Sequence, residues 1–251
     1  MSTHFAGQLA KHILPPPFDW VVIPSRAFAI AKYPITNAQF ARFMRAGGYR
    51  VRRWWSDAGW HYHRKHIWVT PRYWDEPTWN QPDQPVVGVS WYEAMAFCGW
   101  LSEVTDKKIT LPTEAQWRYA AQGSDGRKFP WGDEWDYTRC NNSGGLQFLK
   151  PLSNLPPGHG ERTTAVNAYE GRGNSPFGVV DMAGNAAEWC LTHYEASATN
   201  IGNYVKEYVL RGGAWYNRSV YFHCQYQFRY VPEFRYNFTG LRPVLLPDGI
   251  G

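Results

Sequence analysis

Two stretches in the C-terminal half decide the fold class: VVDMAGNAAEWC at residues 179–190 and YVLRGGAW at residues 208–215. Each joins a short hydrophobic run to turn-forming glycines, which predicts short strands connected by loops. Outward from them, the sequence between Lys128 and Gly178 is also rich in glycine and proline. Because the chain holds 23 Gly, 18 Pro and 17% aromatic residues, we expect long ordered loops packed by rings.

Three helices are predicted in the N-terminal half. Thr36, Ser90 and Thr113 each precede a segment whose apolar residues have helical spacing. Glu93 lies three residues after Ser90, and Gln116 lies three residues after Thr113, so both can complete a capping box. Helices early in the chain and irregular strands late in it predict an α+β fold.

We place the domain at residues 18–251, after an N-terminal lead at residues 1–17 that ends in three prolines. The formal charge is +5, but the basic residues are scattered, so nucleic-acid binding is not expected. The sequence shows no signal-peptide pattern and no apolar run of about 18 residues. We therefore expect no membrane span, and a cytoplasmic location is the default.

Cysteine and histidine spacing gives little support for a metal site. Cys98, Cys140, Cys190 and Cys224 are far apart and form no CxxC pair, which argues against structural zinc and against a disulfide framework. The run HYHRKH at residues 61–66 could be interpreted as a metal site, but no third ligand is specified. A loop that is solvated or packed by aromatic residues is favoured there.

Seven motifs in order carry a resemblance to a known family. They are YPITNAQF, PVVGVSWYEAMAFCGWL, LPTEAQWRYAAQG, FPWGDEW, SPFGVVDMAGNAAEWC, RGGAW and GLR, across roughly residues 18–245. This series resembles the formylglycine-generating enzyme, or sulfatase-modifying factor, family. The resemblance implies a C-type lectin fold of that enzyme type, with few regular elements and a ligand face near the C-terminal segment.

The resemblance also allows the enzymatic residues to be checked. Family members that oxidise a substrate cysteine bind copper through two thiols five residues apart, and thiolate is the soft ligand that copper needs. The matching positions hold Asn217 and Phe222. Related sulfoxide synthases use an iron site from a separate helical domain, for which we see no room. We therefore expect no copper and no enzymatic activity, with a formylglycine-generating or related oxidoreductase, or a degenerate family member, as the alternative.

One metal site of the family can be mapped onto the chain. The resemblance implies calcium ligands at Asp181, Gly184, Ala186 and Glu188, from two carboxylates and two backbone carbonyls, which are the hard oxygens that Ca²⁺ prefers. The alternative is that Asp181 and Glu188 only bond to loop amides. Both readings stay open at this point.

The segment YNRSVYFHCQYQFRYVPEFRYNFT, residues 216–239, is rich in Tyr, Phe and small polar residues. Substitution at the adenines of Asn codons gives Tyr, Phe, His, Cys, Ser, Asp, Val and Asn, and excludes Lys, Glu, Gln, Met and Trp. Only Gln225, Gln227 and Glu233 belong to the excluded types. The segment resembles the variable region of diversity-generating retroelement proteins, which use the same fold.

The sequence therefore predicts a diversified surface that binds a macromolecular target, with a protein favoured. Tyr mixed with small polar residues is typical of antibody paratopes. The alternative is that the rings form ordinary core. The candidate ligand-binding residues are Tyr216, Asn217, Ser219, Tyr221, Phe222, His223, Cys224, Tyr226, Phe228, Tyr230, Phe234, Tyr236, Asn237 and Phe238.

Overall fold

The structure, a computed structural model, describes residues 12–24, 26–144, 155–198 and 203–247. Its helices are α1 (Asn37–Arg45), α2 (Asp57–Lys65), α3 (Trp91–Thr105) and α4 (Glu114–Gln122). Short 3₁₀ helices lie at Arg52–Trp54, Tyr137–Arg139 and Ser219–Phe222. Residues 1–11 of the expected lead lie outside the described residues, whereas Leu14 is buried in the main core.

Reciprocal caps start three of these helices where the sequence predicts them. Thr36 and Ser90 accept from the backbone N–H of Gln39 and Glu93, and the Gln39 and Glu93 side chains accept from the cap residues in return. The third box has the same form at Thr113. Each box satisfies backbone N–H groups that a helix N-terminus leaves free, so the helix starts are fixed locally.

Helix α2 lies in a region where the sequence predicts an irregular loop. Its cap is Ser56, whose side chain accepts from the Gly59 N–H without a capping box. His63 is buried in this helix and its ring stacks on Trp55 at 4.8 Å. His63 is therefore packed by aromatic rings, whereas the loop predicted for this run is wrong because its backbone is largely helical.

The strands within the described residues form two sheets of four strands. The first sheet has the order β1-β2-β8-β3 and the second has the order β6-β5-β4-β7. The strands are β1 (Trp20–Val22), β2 (Ala29–Ala31), β3 (Ile109–Thr110), β4 (Ala187–Ala198), β5 (Asn203–Arg211), β6 (Phe228–Tyr230), β7 (Thr239–Gly240) and β8 (Val244–Leu245). Strands β4 and β5 form a long antiparallel pair where short strands are expected.

A buried ion pair joins the two sheets. Arg242 donates to both carboxylate oxygens of Glu188 on β4, at 2.7 to 3.1 Å, and to the carbonyl of Ala31 on β2 at 2.8 Å. Both charged side chains are almost fully inaccessible to solvent. Removing one partner of such a pair costs about 3–5 kcal/mol, so this contact fixes the C-terminal segment against the scaffold. Across the described parts of the chain, no helix has the length and apolar character needed to cross a bilayer.

Candidate functional site

The segment that follows β5 begins with a tight turn. Gly212 and Gly213 have positive φ angles of 90° and 68°. The Asn217 side-chain oxygen accepts from the Ala214 N–H at 2.8 Å, and the Asn217 N–H donates to the Ala214 carbonyl at 2.9 Å. A Cβ atom added at Gly213 would lie 2.9 Å from the ring of Phe222. The turn therefore needs glycine for its conformation and for the ring behind it.

Four of the candidate ligand-binding residues point into the protein, and for them the expected exposure is wrong. Asn217, Phe222, Cys224 and Phe238 are all buried. Phe222 stacks on Trp135, with ring centroids 5.4 Å apart and an interplanar angle of 6°. These side chains hold the segment in place from below, and we call Asn217, Phe222 and Cys224 the inward group.

Cys224 packs in an apolar cluster that also contains Trp117 and Cys190. Its backbone N–H donates to the Lys128 carbonyl at 2.7 Å. Burial raises the pKa of the Cys224 thiol to about 12, against a smaller opposing effect of Arg211. A protonated, enclosed thiol is a poor nucleophile and a poor metal ligand, so the structure gives Cys224 a packing role.

A stack of three rings forms the first part of an outer surface. Tyr230 and Phe234 stack with centroids 4.0 Å apart, and Phe234 and Tyr236 stack at 4.5 Å. The buried Phe238 lies under the stack, 5.8 Å from Phe234, and contacts Tyr216 at 5.2 Å. Tyr236 is 45% exposed, so the edge of the stack faces solvent.

A second ring group continues this surface. The rings of Tyr221, Tyr226 and Phe228 contact one another at centroid distances of 5.0 to 5.6 Å. Phe228 and Tyr230 lie two residues apart on β6, and alternate residues of a strand share one face. Burial raises the pKa of Tyr216, whose ring packs edge-on against the buried Phe238 at 5.2 Å.

We call the two ring groups, together with Tyr216, the aromatic face. Its members are Tyr216, Tyr221, Tyr226, Phe228, Tyr230, Phe234 and Tyr236. Tyr216 and Tyr236 are exposed, and the other members are partly buried. Phe228, Tyr230 and Phe234 also pack against the main core. Three other candidates are partly exposed but are not in the ring stack, because His223 packs edge-on against Phe129 at 4.9 Å, Ser219 begins a 3₁₀ helix, and the Asn237 carbonyl accepts from the Trp215 indole at 3.3 Å.

Residues between the rings anchor the aromatic face to the scaffold. Glu233 accepts from the Tyr62 hydroxyl at 3.0 Å. Arg235 pairs with the buried Glu93 at 3.0 Å, and its guanidinium lies 4.4 Å from the centre of the Trp68 ring. The sequence does not identify Tyr62 and Trp68 as partners. The only sequence signal is that Glu233 belongs to a residue type that adenine substitution excludes.

The expected calcium ligands are close together but largely occupied. The Glu188 carboxylate accepts from Arg242 through both oxygens and from the Trp117 indole at 2.6 Å. Asp181 accepts from Asn185 at 2.8 Å through Oδ2, and its buried Oδ1 has no partner among the residues described. Burial raises the pKa of Asp181 to about 7.

Gly184 and Ala186 complete the expected set. Gly184 packs so closely on Asn141 that an added Cβ atom would lie 2.2 Å from the Asn141 carbonyl oxygen, and Ala186 is buried. To bind calcium, Glu188 would have to give up its bonds to Arg242 and Trp117. Only Asp181 has a free carboxylate oxygen, so the set as a whole does not fit calcium in this arrangement. Calcium binding stays a prediction that these contacts do not support.

Comparison with known proteins defines the family. Residues 11–246 match the Sulfatase-modifying factor enzyme 1-like domain family. The chain belongs to this family, which is the one that its motifs resemble. The solved structure of Treponema denticola variable protein 1 has a TM-score of 0.59 with 19% identity, covering 88% of this chain and 84% of that one. That likeness confirms the fold, a mixed α/β C-type lectin fold of the formylglycine-generating-enzyme type.

Curated relatives of similar sequence include enzymes. The chain is 33% identical over 181 residues to a hercynine oxygenase of Mycolicibacterium thermoresistibile, covering 67% of this chain and 36% of that protein. It is 31% identical over 201 residues to a formylglycine-generating enzyme of Thermomonospora curvata, covering 67% of this chain and 61% of that enzyme. The chain spans 36% to 48% of the length of the hercynine oxygenases that it matches.

These relatives correct one expectation from the sequence. The prediction that the chain is not an enzyme is wrong, because proteins about 30% identical to most of the chain are named for enzymatic activities. The prediction relied on two positions, Asn217 and Phe222, where paired thiols are absent, and on the lack of room for a separate helical iron-site domain. Two positions test one kind of copper chemistry only, and the family holds more than one named activity.

Proposed function

We propose that the aromatic face is a recognition surface for a macromolecule, with a folded protein as the target. The observation that carries the proposal is that rings and charged residues alternate in role along residues 230–236. Tyr230, Phe234 and Tyr236 form a stack whose Tyr236 edge faces solvent, whereas Glu233 and Arg235 are tied to the scaffold. In this stretch the rings are therefore partly exposed, whereas the charged residues between them fix the backbone.

Physical chemistry supports a large partner over a small one. The aromatic face is a broad surface of partly exposed rings, and rings of this kind are enriched among the residues that dominate protein interfaces. Tyr and Phe supply contact area at low entropic cost because each has only two side-chain torsions. Clusters of exposed apolar side chains on a folded chain often mark interaction sites.

The diversification part of the proposal can be tested in the DNA that flanks the gene. We expect a near-copy of the region encoding residues 216–242 that differs from it only at adenines, next to a reverse transcriptase gene. A locus that lacks both would contradict diversification. It would leave the recognition surface itself to be tested by binding.

Binding can be tested with two display libraries built on this chain. One randomises Tyr216, Tyr230, Phe234 and Tyr236, and the matched control randomises four exposed residues elsewhere, Arg42, Arg45, Arg118 and Glu161. Panned against the same purified proteins, the first library should yield binders that compete with one another for the aromatic face. Equal yields from both libraries would contradict the proposal.

A second candidate function is favoured by the 33% identity to a hercynine oxygenase. In this alternative the chain is an oxidoreductase of the family. The test is oxygen consumption by the purified protein with iron(II), hercynine and a thiol, set against a no-substrate control. Substrate-dependent consumption that is lost on heat denaturation would favour the oxidoreductase.

A further inference from the structure

The loop that follows α2 exposes two large apolar side chains. Ile67 is 79% exposed and Val69 is 64% exposed, which are the highest values among the large hydrophobic residues that the structure describes. Neither belongs to an apolar cluster of the described ranges. Single exposed apolar residues are common on folded proteins, but a cluster of them often marks an interaction site. The pair is therefore a candidate contact for another molecule.

Hydrogen bonds hold this loop in one conformation. The Trp68 N–H donates to the His63 carbonyl at 3.0 Å, and the Trp68 carbonyl accepts from Nδ1 of His63 at 2.9 Å. Further along the loop, the Arg72 N–H donates to the Gly88 carbonyl at 3.0 Å. A loop that is fixed before binding loses little conformational entropy when a partner docks. The two exposed side chains are thus presented on a fixed backbone.

Arg235 connects this loop to the aromatic face. Its guanidinium lies 4.4 Å from the centre of the Trp68 ring, and its Nη2 donates to the Thr70 carbonyl. Val69 lies between these two residues in the chain, so it is held close to Arg235. The next residue after Arg235 is Tyr236, the exposed edge of the ring stack. The exposed loop and the aromatic face therefore adjoin each other.

Basic side chains surround the exposed pair. The Arg72 guanidinium lies 5.6 Å from the centre of the Tyr236 ring and donates to the Arg235 carbonyl at 3.3 Å. Arg64 and Lys65 lie in the last turn of α2, just before the loop. Arg72, Arg64 and Lys65 are exposed, and none forms an ion pair with a carboxylate of any residue that the structure describes. Charge complementarity therefore favours a partner surface that carries carboxylates.

We propose that Ile67, Val69 and Arg72 form a flank of the recognition surface and bind the same folded protein as the aromatic face. That protein presents an apolar site bordered by carboxylates. Ile67 and Val69 pack on the apolar site, and Arg72 pairs with a carboxylate beside Tyr236. The inference rests on the recognition function proposed above. Because the flank lies outside residues 216–239, it stays the same when that segment varies and restricts the targets to proteins with this feature.

Substitutions in selected binders test the flank. Binders are taken from the library that randomises the aromatic face, panned against purified acidic proteins. Each binder is remade with Ile67→Ser and Val69→Ser, or with the control pair Val22→Ser and Val104→Ser, which replaces two exposed valines elsewhere. We expect dissociation constants about tenfold weaker with the flank pair and within about twofold of the parent with the control pair. Equal affinities in the two sets would overturn the flank and leave the aromatic face standing, whereas a library that yields no binders would overturn both.

Salt dependence and self-association test the kind of partner. Arg72→Ala should weaken the same binders about threefold at about 50 mM NaCl and less at about 500 mM, because salt screens an exposed ion pair. Arg118→Ala is the control, because Arg118 is an exposed arginine on α4. An effect of Arg72→Ala no larger than that of the control would contradict an acidic partner. Sedimentation velocity of the chain alone tests a second copy as the occupant, since a dimer that dissociates with Ile67→Ser and Val69→Ser would overturn the proposal.

Discussion

The inward group and the aromatic face are drawn from the same short segment and from similar residue types, yet they have opposite environments. Phe222 is 1% exposed and stacks on Trp135, whereas Tyr236 is 45% exposed at the edge of its stack. From composition alone, both groups are predicted to be ligand-binding residues. The two groups differ in the residues that each side chain contacts. Phe222, for example, lies against the backbone of Gly213, where a side chain would clash with its ring.

The largest expected difference between the two groups is in stability. Phe222→Ala should lower the free energy of unfolding by about 3–5 kcal/mol, because it removes a fully buried ring and leaves a cavity against Trp135. Tyr236→Ala, the matched change on the aromatic face, should cost about 1 kcal/mol or less. Urea unfolding followed by fluorescence measures both, and similar losses would erase the distinction between the groups.

A smaller effect is expected at the turn. Asn217→Ala should cost about 1–2 kcal/mol, because it leaves the buried Ala214 N–H without its acceptor. Asn237→Ala is the control, since Asn237 is partly exposed and contributes its backbone carbonyl to Trp215. We expect the control to stay within about 0.5 kcal/mol of the parent chain by the same urea titration. A control that loses as much as Asn217→Ala would argue that the turn bond contributes nothing specific.

What the sequence could predict depends on how local the cause is. The caps at Thr36, Ser90 and Thr113 act over three residues, so the pattern of side chains is enough to place helices α1, α3 and α4. Helix α2 has a single capping bond from Ser56 and mixed Trp and His residues without a clear period. Nothing local identifies it, and the sequence predicts a loop there.

The inward group could not be separated from the aromatic face for the same reason. Asn217, Phe222 and Cys224 contact Ala214, Trp135 and the Lys128 backbone, respectively. Trp135 and Lys128 are distant in sequence and meet the segment only through the fold. The backbone of the segment is mostly irregular, so no strand alternation shows which side chains turn inward. Residue type therefore does not decide exposure in this segment, and tertiary contact does.

The stack on the aromatic face should show measurable coupling between its rings. A double-mutant cycle of Tyr230→Ala and Phe234→Ala should give a coupling free energy of about 0.5–1.5 kcal/mol, because these rings stack at 4.0 Å. A control cycle with Tyr221→Ala and Tyr236→Ala joins rings from the two different groups. The changes in unfolding free energy caused by these two substitutions should add within about 0.5 kcal/mol. Equal coupling in both cycles would show that the coupling does not come from the stack of Tyr230 and Phe234.

Chemical modification compares the accessibility of the inward group and the aromatic face without a change in sequence. Burial raises the pKa of Cys224 to about 12 from an unfolded value near 9.0, so the native thiol stays protonated at pH 8. Iodoacetamide should leave Cys224 unmodified in the native protein and alkylate it in denaturant, as peptide mapping would show. Tetranitromethane should nitrate the exposed Tyr236 under native conditions.

The same shift in pKa predicts how stability depends on pH. Between pH 9 and pH 12 the native state holds the Cys224 proton that the unfolded chain releases, so the contribution of this thiol to stability is lost as the pH rises through that window. Cys224→Ala should flatten this part of the curve relative to the parent chain. Rapid native alkylation of Cys224, or an unchanged curve in the variant, would place the thiol on the outer surface with the rings.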